Sequence, residues 1–337
     1  MSTSENHLRM LDLCDVTRAA TALHGVVTRT PLLENADVNE QLGGRLMLKA
    51  ECAQRTGAFK LRGAYNCIRQ LTRAEKARGV LTYSSGNHAQ GIALAARLLG
   101  TSALIVMPSD VPPSKVEATQ ALGAKIVTFE RDHENSGEVV ERLRRETGRV
   151  EVPPSGDLRV LAGAGTVALE MYQQAKALDA TLDAVLVPCG GGGLTAATAV
   201  VMRAVSPPTQ TFAVEPELFD DTRRSLAVGQ RVTNSAGRRT ICDAIMTPTP
   251  NALTFPINLD LLSGGLVASD DEVRAAMLFI FEHFKMVVEP GGAVGIAAVL
   301  SGRVDITGKT VATVATGGNI DPNRYFRILK SSELAQE

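Results

Sequence analysis

Lys60 stands at a position where a lysine could act as a nucleophile. It lies between an extended run, Arg45 to Ala50, and a pattern of apolar residues at helical spacing that begins at Leu61. The helix dipole disfavours a cation at a helix start, so this position favours the neutral amine. A neutral amine is the form that condenses with a carbonyl to give a Schiff base. The alternative is a solvated surface lysine.

Four consecutive glycines form a second candidate site. They follow an apolar strand pattern and precede a helix pattern that begins at Leu194. Backbone without side chains can approach an anion closely, and the N–H groups at a helix N-terminus can surround a phosphate. No lysine follows the glycines, so the loop is not a P-loop. A phosphate-binding loop is therefore favoured over a flexible turn, with these residues: Gly190, Gly191, Gly192, Gly193 and Leu194.

Two further loops follow predicted parallel strands. Ser84-Ser85-Gly86-Asn87-His88 precedes a helix, and its hydroxyl and N–H groups suit a substrate carboxylate. Thr316-Gly317-Gly318-Asn319 follows another strand and could place a hydroxyl at the same edge of a sheet. A lysine, a phosphate loop, a carboxylate loop and a hydroxyl together match a ligand with an aldehyde, a phosphate and a ring nitrogen. That ligand is pyridoxal phosphate.

Composition excludes several other classes of function. The 337 residues carry a formal net charge of −1, which gives no basic surface for nucleic acid or for a membrane. No run approaches the ~18 apolar residues of a membrane span. The five cysteines are scattered without a C-x-x-C pair, which favours a reduced, cytoplasmic protein over a disulfide framework. The partner we expect is a small molecule.

Strand and helix patterns alternate along the chain, which predicts an α/β fold with open, twisted, mostly parallel sheets covered by helices on both faces. We expect helices over Val16–Val26 and Thr166–Leu178, and less regular structure over residues 216–265. A turn-rich segment, Glu151 to Asp157, marks a boundary. The predicted domains are a large cofactor-binding domain (residues 1–70 and 157–337) and a small mobile domain (residues 71–156) that closes over the substrate.

Four of these segments occur in the order found in one known family. Thr56–Ala64, Ser84–His88, Gly190–Leu194 and Thr316–Asn319 resemble the motifs of the threonine dehydratase and serine racemase family, which are fold-type-II pyridoxal-phosphate enzymes. The resemblance extends from about Thr30 to Asp321. It implies a fold like that of the tryptophan synthase β subunit, and a homodimer.

The resemblance also implies residue roles. Lys60 attaches the cofactor, Phe59 packs on its ring, and Asn87 donates to its phenolic oxygen. The glycine loop with Leu194 holds the phosphate, and Thr316 faces the pyridine nitrogen. Ser85 matches the position that serves in racemases as the second acid/base. The substrate residues implied are Ser84, Ser85, Gly86, Asn87 and His88.

The expected reaction is β-elimination of a 3-hydroxy amino acid, such as L-threonine or L-serine, to a 2-oxo acid and ammonia. Alternatives are dehydration of a bulkier substrate (3-phenylserine or 3-hydroxyaspartate), racemisation of serine or another amino acid, and cofactor binding without turnover. The resemblance further implies a site for Mg²⁺ or Ca²⁺, with Glu215, Asp221 and the Phe219 carbonyl as ligands. An acidic helix start is the alternative explanation for these residues.

Several residues depart from the family pattern near the expected substrate. Ala58, Ala164 and Ala244 replace a serine, a glutamine and a glycine, respectively. The resemblance implies an arginine near the start of the following helix in relatives that act on 3-hydroxyaspartate and in serine racemases; this chain has Ser136 there, and Arg131 falls five positions earlier. A small Ser155 and the lost polar groups leave room for a larger or less polar β-substituent. The departures are therefore expected to bear on substrate choice.

Overall fold

Strands and helices alternate through most of the chain, and the strands form two separate sheets. The computed structural model describes residues 10–130 and 133–333, so Arg131 lies outside the described residues. The strands are β1 (Leu32–Leu33), β2 (Arg45–Lys49), β3 (Val80–Tyr83), β4 (Ala103–Pro108), β5 (Lys125–Phe129), β6 (Val150–Glu151), β7 (Ala184–Pro188), β8 (Gln210–Pro216), β9 (Gly264–Ala268) and β10 (Thr310–Val314).

The larger sheet has six strands in the order β1-β2-β10-β7-β8-β9, and the smaller has four in the order β5-β4-β3-β6. β1 pairs antiparallel with β2, and the other pairings are parallel. All four strands of the smaller sheet come from one stretch of chain between residues 80 and 151. The predicted α/β architecture with two open, mostly parallel sheets is confirmed.

Helices cover these sheets. They are α1 (Leu13–Leu23), α2 (Ala36–Leu42), α3 (Lys60–Arg69), α4 (Arg73–Arg78), α5 (Asn87–Leu98), α6 (Pro113–Ala121), α7 (Ser136–Thr147), α8 (Leu158–Ala177), α9 (Gly193–Val205), α10 (Asp221–Val228), α11 (Thr254–Leu261), α12 (Asp270–Phe284), α13 (Pro290–Leu300) and α14 (Pro322–Glu333). Within the described ranges, no helix has both the length and the apolar composition needed to cross a bilayer.

Two predicted helices begin earlier than the sequence pattern suggested. α1 starts at Leu13 because Asp12 caps it and forms a capping box with Asp15. α8 starts at Leu158, eight residues before the predicted start at Thr166, because Asp157 accepts a hydrogen bond from the Arg159 N–H and caps the helix. The segment 216–265, expected to be less regular, contains α10, α11 and the first two residues of β9.

Glycines within α3 and α8 allow these two helices to cross in close contact. A Cβ atom on Gly63 would lie 2.7 Å from the Val160 carbonyl oxygen, and one on Gly163 would lie 2.3 Å from the Arg62 carbonyl oxygen. Gly163 therefore lies inside α8, upstream of the predicted helix start, and serves the packing of the two helices. The chain leaves for the four-stranded sheet from α3 and returns through α8, so both connections meet at this crossing.

Candidate active site

Lys60 is the first residue of α3, as predicted. Its Nζ atom donates a hydrogen bond to the Pro154 carbonyl oxygen at 3.3 Å and lies 4.9 Å from the centre of the Phe59 ring. Burial lowers the pKa of Lys60 to about 8, against the opposing attraction of the Glu289 carboxylate. The side chain therefore supplies a neutral amine at a pH only slightly above neutrality.

The glycine loop ends β7 and opens α9, as predicted. Gly192 has φ +80°, and a Cβ atom there would lie 2.5 Å from Asn258 Nδ2. Neighbouring side chains hold the loop's carbonyls, since Thr254 Oγ1 donates to the Gly191 oxygen at 2.7 Å and Asn258 Nδ2 donates to the Gly192 oxygen at 3.3 Å. The loop is thus a fixed cradle that a side chain at this position would obstruct.

The fold brings Lys60 and the glycine loop to one small cavity. Phe59 and Lys60 line it from α3 and the turn before it, and Gly193 and Leu194 line it from α9. Ala164, one of the departures from the family pattern, lines the same cavity. Residues separated by about 130 positions in the sequence therefore border a single site.

The loop Ser84–His88 connects β3 to α5 at the carboxyl end of the smaller sheet. Among the described residues, no side chain caps the start of α5, where Gly86 is the N-cap residue. Ser84 Oγ accepts a hydrogen bond from the Gly86 N–H at 3.3 Å and so shapes the loop. The α5 N-terminus is therefore available to bind a carboxylate.

His88, the last residue of this loop, has a structural role. Its side chain is buried, and its Nε2 atom lies 2.9 Å from the Val152 carbonyl oxygen. Burial, with a smaller contribution from the Lys60 charge, lowers the pKa of His88 to about 3. The neutral ring thus donates Nε2–H to Val152, and it links α5 to the end of β6.

Glu289 is a buried carboxyl group in the site that the sequence reasoning missed. Its Oε1 atom accepts a hydrogen bond from Asn87 Nδ2 at 2.5 Å, and the Asn87 Oδ1 atom in turn accepts from Asn319 Nδ2 at 2.8 Å. Burial raises the pKa of Glu289 to about 7. This arrangement fixes the orientation of the Asn87 amide. An acidic residue directly before Pro290, which opens an apolar helix, was the available sequence signal.

Thr316 and Gly317 follow β10 and complete the site. The Thr316 carbonyl accepts a hydrogen bond from the Phe59 N–H at 3.2 Å, and Gly317 bridges to Ala58. A Cβ atom on Gly317 would lie 2.3 Å from Glu289 Oε1 and 2.8 Å from Asn87 Nδ2. The absence of a side chain at Gly317 therefore permits the contact between Glu289 and Asn87.

A network of buried charges lies behind Lys60. The Arg62 side chain is fully buried and pairs with Glu51 at 2.8 Å and with Glu170 at 2.7 Å. Lys49, also fully buried, pairs with Glu170 at 2.8 Å and donates to the Thr30 carbonyl at 2.7 Å. Two cations and two carboxylates thus join α3 to β2 and α8, and they anchor the helix that begins with Lys60.

Other residues that depart from the family pattern lie around the glycine loop and the smaller sheet. Ser155 contacts the loop, since its Oγ would lie 2.7 Å from a Cβ atom on Gly191. Ser136 is the first residue of α7. Ala244 lies in a 3₁₀ turn. Its Cβ atom would be 3.5 Å from a Cβ atom built on Gly291 of α13.

Glu215 and Asp221 lie close together, and both already accept hydrogen bonds from other residues. Glu215 accepts hydrogen bonds from the N–H groups of Thr222 and Arg223 at 2.9 and 2.8 Å, so it caps the start of α10. Asp221 Oδ2 is buried, and the described residues offer it no hydrogen-bond partner. Phe219 lies in the turn between them. In residues 10–130 and 133–333, no group of three or more His, Cys, Asp or Glu is arranged to hold a metal.

Burial also raises the pKa of both carboxyl groups. Burial raises the pKa of Glu215 to about 8, with a further contribution from the Asp221 charge. Burial raises the pKa of Asp221 to about 6. A pair of buried carboxyl groups with one unpartnered oxygen is chemically suited to a hard divalent cation.

The residues present fit pyridoxal phosphate. The glycine cradle at the α9 N-terminus suits its phosphate, and the lowered pKa of Lys60 suits its aldehyde. The Thr316 side chain is a neutral group suited to the ring nitrogen, and it is buried. Each end of the cofactor thus has a matching group in one site.

Comparison with known proteins identifies the family. Residues 23–317 match the family model described as pyridoxal-phosphate dependent enzyme. The chain is 39% identical to the L-threo-3-hydroxyaspartate ammonia-lyase of a Pseudomonas species over 316 residues, 94% of this chain and 98% of that protein.

Two solved structures are similar in fold as well as in sequence. The threonine deaminase of T.th. superposes with a TM-score of 0.87 at 41% identity, covering 92% of this chain and 99% of that one. Maize serine racemase superposes with a TM-score of 0.89 at 33% identity, covering 98% of this chain and 100% of that one. The chain therefore belongs to the pyridoxal-phosphate dependent enzymes of fold type II, in the group of threonine deaminases, hydroxyaspartate ammonia-lyases and serine racemases.

Proposed function

We propose that this protein is an ammonia-lyase that converts a 3-hydroxy amino acid such as L-serine or L-threonine to a 2-oxo acid and ammonia, by elimination of water followed by hydrolysis of the product. The observation that carries the proposal is the partly buried Lys60 amine, with its lowered pKa, at a cavity shared with the glycine loop. The names of similar proteins support β-elimination or racemisation of a hydroxy amino acid. In this proposal, Gly190 to Leu194 hold the cofactor phosphate, Phe59 packs on its ring, and Thr316 faces its nitrogen.

Bound pyridoxal phosphate supplies an aldehyde that condenses with amines and a ring that withdraws electrons from the substrate α-carbon. Lys60 attaches the cofactor and, once the substrate amine has taken its place, removes the α-proton as a general base. A pKa near 8 suits this role, because about a tenth of the amine is unprotonated at pH 7, against well under a thousandth for an ordinary lysine. The β-hydroxyl leaves as water, and the released enamine hydrolyses to a 2-oxo acid and ammonia.

The loop Ser84–His88 binds the substrate α-carboxylate in this proposal. The uncapped N–H groups at the α5 start and the Ser84 and Ser85 hydroxyls supply donors. Asn87 donates to the cofactor's phenolic oxygen with the amide hydrogen that Glu289 does not use. The buried His88 ring keeps the loop attached to β6 and does not itself touch the substrate.

Racemisation is the second candidate, and Ser85 favours it. A half-buried hydroxyl in the carboxylate loop could return a proton to the face of the α-carbon opposite Lys60. The two activities differ in their products from a single enantiomer of serine. Elimination gives pyruvate and ammonia, whereas racemisation gives the mirror-image amino acid.

The test is a screen of the cofactor-loaded protein against single enantiomers of serine, threonine, 3-hydroxyaspartate and 3-phenylserine. Release of 2-oxo acid and ammonia in equal amounts supports the ammonia-lyase. Inversion of serine without 2-oxo acid would establish the racemase instead. Bound cofactor with neither product from any substrate would overturn both proposals and leave a binding protein.

Gly192→Ala is expected to weaken pyridoxal phosphate binding at least about tenfold, or about 1.4 kcal/mol, because the new Cβ would collide with Asn258 and displace the loop. Fluorescence titration of the apoprotein measures this affinity. Gly229→Ala is the matched control, because Gly229 has φ +72° with nothing within 4 Å of its Cβ position. Equal loss of affinity in both variants would show that the glycine loop does not hold the cofactor.

We propose that Glu215, Asp221 and the Phe219 carbonyl bind Mg²⁺ or Ca²⁺. A hundredfold excess of cation over its Kd should then stabilise the protein by about 2.7 kcal/mol, measured as a rise in Tm over an EDTA-treated sample. Asp221→Asn should abolish the rise, whereas Asp271→Asn, an exposed residue of α12, should retain it. A full rise in Asp221→Asn would contradict this site.

Three further features belong to the same proposal. Residues 71–156 form a small domain that closes over the substrate, against a large domain of residues 1–70 and 157–337. The protein acts in the cytoplasm, which its five free cysteines favour. It works as a homodimer, a state that sedimentation of the purified protein would measure.

A further inference from the structure

A second cavity, of about 300 Å³, opens at the carboxyl end of the smaller sheet. Tyr83 at the end of β3 and Val140 of α7 are among its lining residues, and Ser136 and Gly137 line it at the start of α7. Neither Ser136 nor Gly137 has a bulky side chain, so the space between α7 and the sheet edge stays open.

The cavity adjoins the candidate active site through Pro154 and Tyr83. Pro154 lines both this cavity and the one that contains Lys60, and its carbonyl accepts the Lys60 Nζ hydrogen bond at 3.3 Å. Tyr83 directly precedes Ser84, the first residue of the carboxylate loop. A substrate held between Lys60 and that loop would therefore have this cavity within reach of its side chain.

We propose that this cavity receives the β-substituent of the substrate, and that the preferred substrates carry an uncharged group bulkier than a methyl, with an aryl group the best fit. This inference rests on the proposed ammonia-lyase function and specifies its substrate class. For scale, an apolar cavity of about 150 Å³ is sufficient to bind benzene. The cavity here is large enough for a phenyl group, whereas serine and threonine would leave most of it to water.

The charge of the cavity walls argues against an anionic substituent. Among the lining residues that the structure describes there is no lysine or arginine, while Glu141 and Glu151 both border the cavity. Arg144 pairs with Glu141 through two hydrogen bonds, at 2.7 and 2.9 Å, so its guanidinium is already engaged. A second substrate carboxylate would therefore meet carboxylates without a counter-charge from the lining residues, whereas a phenyl ring would meet Tyr83, Val140 and Pro154.

The experiment compares kcat/KM for 2-oxo acid formation from 3-phenylserine, serine and 3-hydroxyaspartate in the cofactor-loaded protein. We expect 3-phenylserine to exceed 3-hydroxyaspartate at least tenfold. Val140→Phe and, separately, Ser136→Leu should fill the cavity and lower the ratio of phenylserine to serine kcat/KM at least tenfold. Glu138→Leu, on an exposed position of α7 that does not line the cavity, should leave this ratio unchanged.

The outcomes separate this inference from the proposed function. Turnover of serine together with no turnover of 3-phenylserine would overturn the cavity assignment alone. So would a phenylserine-to-serine ratio that neither filling variant changes. Absence of 2-oxo acid from every substrate would instead overturn the ammonia-lyase function on which the inference rests. The kcat/KM values of the three substrates are compared in the wild-type protein. This comparison therefore remains decisive if a cavity-filling variant misfolds.

Discussion

Lys60→Ala should reduce 2-oxo acid formation from serine by at least about 10³-fold, near the upper part of the range for loss of a general base. Lys60 is expected to serve twice, as the group that attaches the cofactor and as the base that removes the α-proton. Its amine lies within hydrogen-bond distance of the Pro154 carbonyl, and the described structure places no second lysine in the cavity it shares with the glycine loop. No neighbouring amine is positioned there to replace it.

The measurement pairs steady-state 2-oxo acid formation with cofactor retention after desalting. Lys176→Ala is the control, because Lys176 is an exposed residue in the last turn of α8. Circular dichroism and Tm should show that both variants are folded. Full turnover and retained cofactor in Lys60→Ala would remove the basis of the proposed function.

Arg62→Leu should lower the free energy of unfolding by about 3–5 kcal/mol, the usual cost of removing one partner from a buried ion pair. The substitution leaves Glu51, which is fully buried, without its paired cation, and it removes one of two cations beside Glu170. The burial of leucine does not compensate for an unpaired carboxylate in a site without water access. Denaturant unfolding of the apoprotein measures the difference directly, without a contribution from bound cofactor.

Arg18→Leu is the matched control for this prediction. Arg18 also forms an ion pair, with Asp15, but its side chain is 61% exposed. Surface pairs contribute about 0–1 kcal/mol, so this variant should unfold almost as the wild type does. Similar losses in the two variants would mean that the buried network adds no more than a surface pair.

The chemical groups of the site could be predicted from the sequence because each belongs to a short segment with a strong local pattern. The glycine loop and the position of Lys60 at a helix start could be predicted from the pattern of the strand before each and of the helix after each. Glu289 could not be found in this way. Its importance depends on Asn87 and Gly317, which lie at distant positions in the sequence and meet it only in the folded chain.

The same limit applies to Arg62 and to the start of α8. Arg62 lies two residues after Lys60, and its sequence neighbours give no sign that it is buried. Its ion-pair partners Glu51 and Glu170 belong to other elements. The predicted start of α8 at Thr166 left out Gly163, whose place inside the helix is explained only by the close approach of the Arg62 carbonyl from a neighbouring helix. Local sequence patterns predict helices and strands. Which side chains are buried, and which pair across different elements, can be seen only in the folded structure.

The crossing of α3 and α8 has a consequence for how such proteins can diversify. The chain enters and leaves the four-stranded sheet beside the contact between Gly63 and Gly163. The two ends of the intervening segment, here called the cassette, therefore lie next to each other. A different cassette could be inserted between these helices without changing the register of the six-stranded sheet. The cassette carries the loop Ser84–His88, whereas Lys60 and the glycine loop lie outside it, so a chimera made at these two glycines would exchange the carboxylate loop and keep the lysine and the phosphate loop, provided that the new cassette retains an asparagine to meet Glu289.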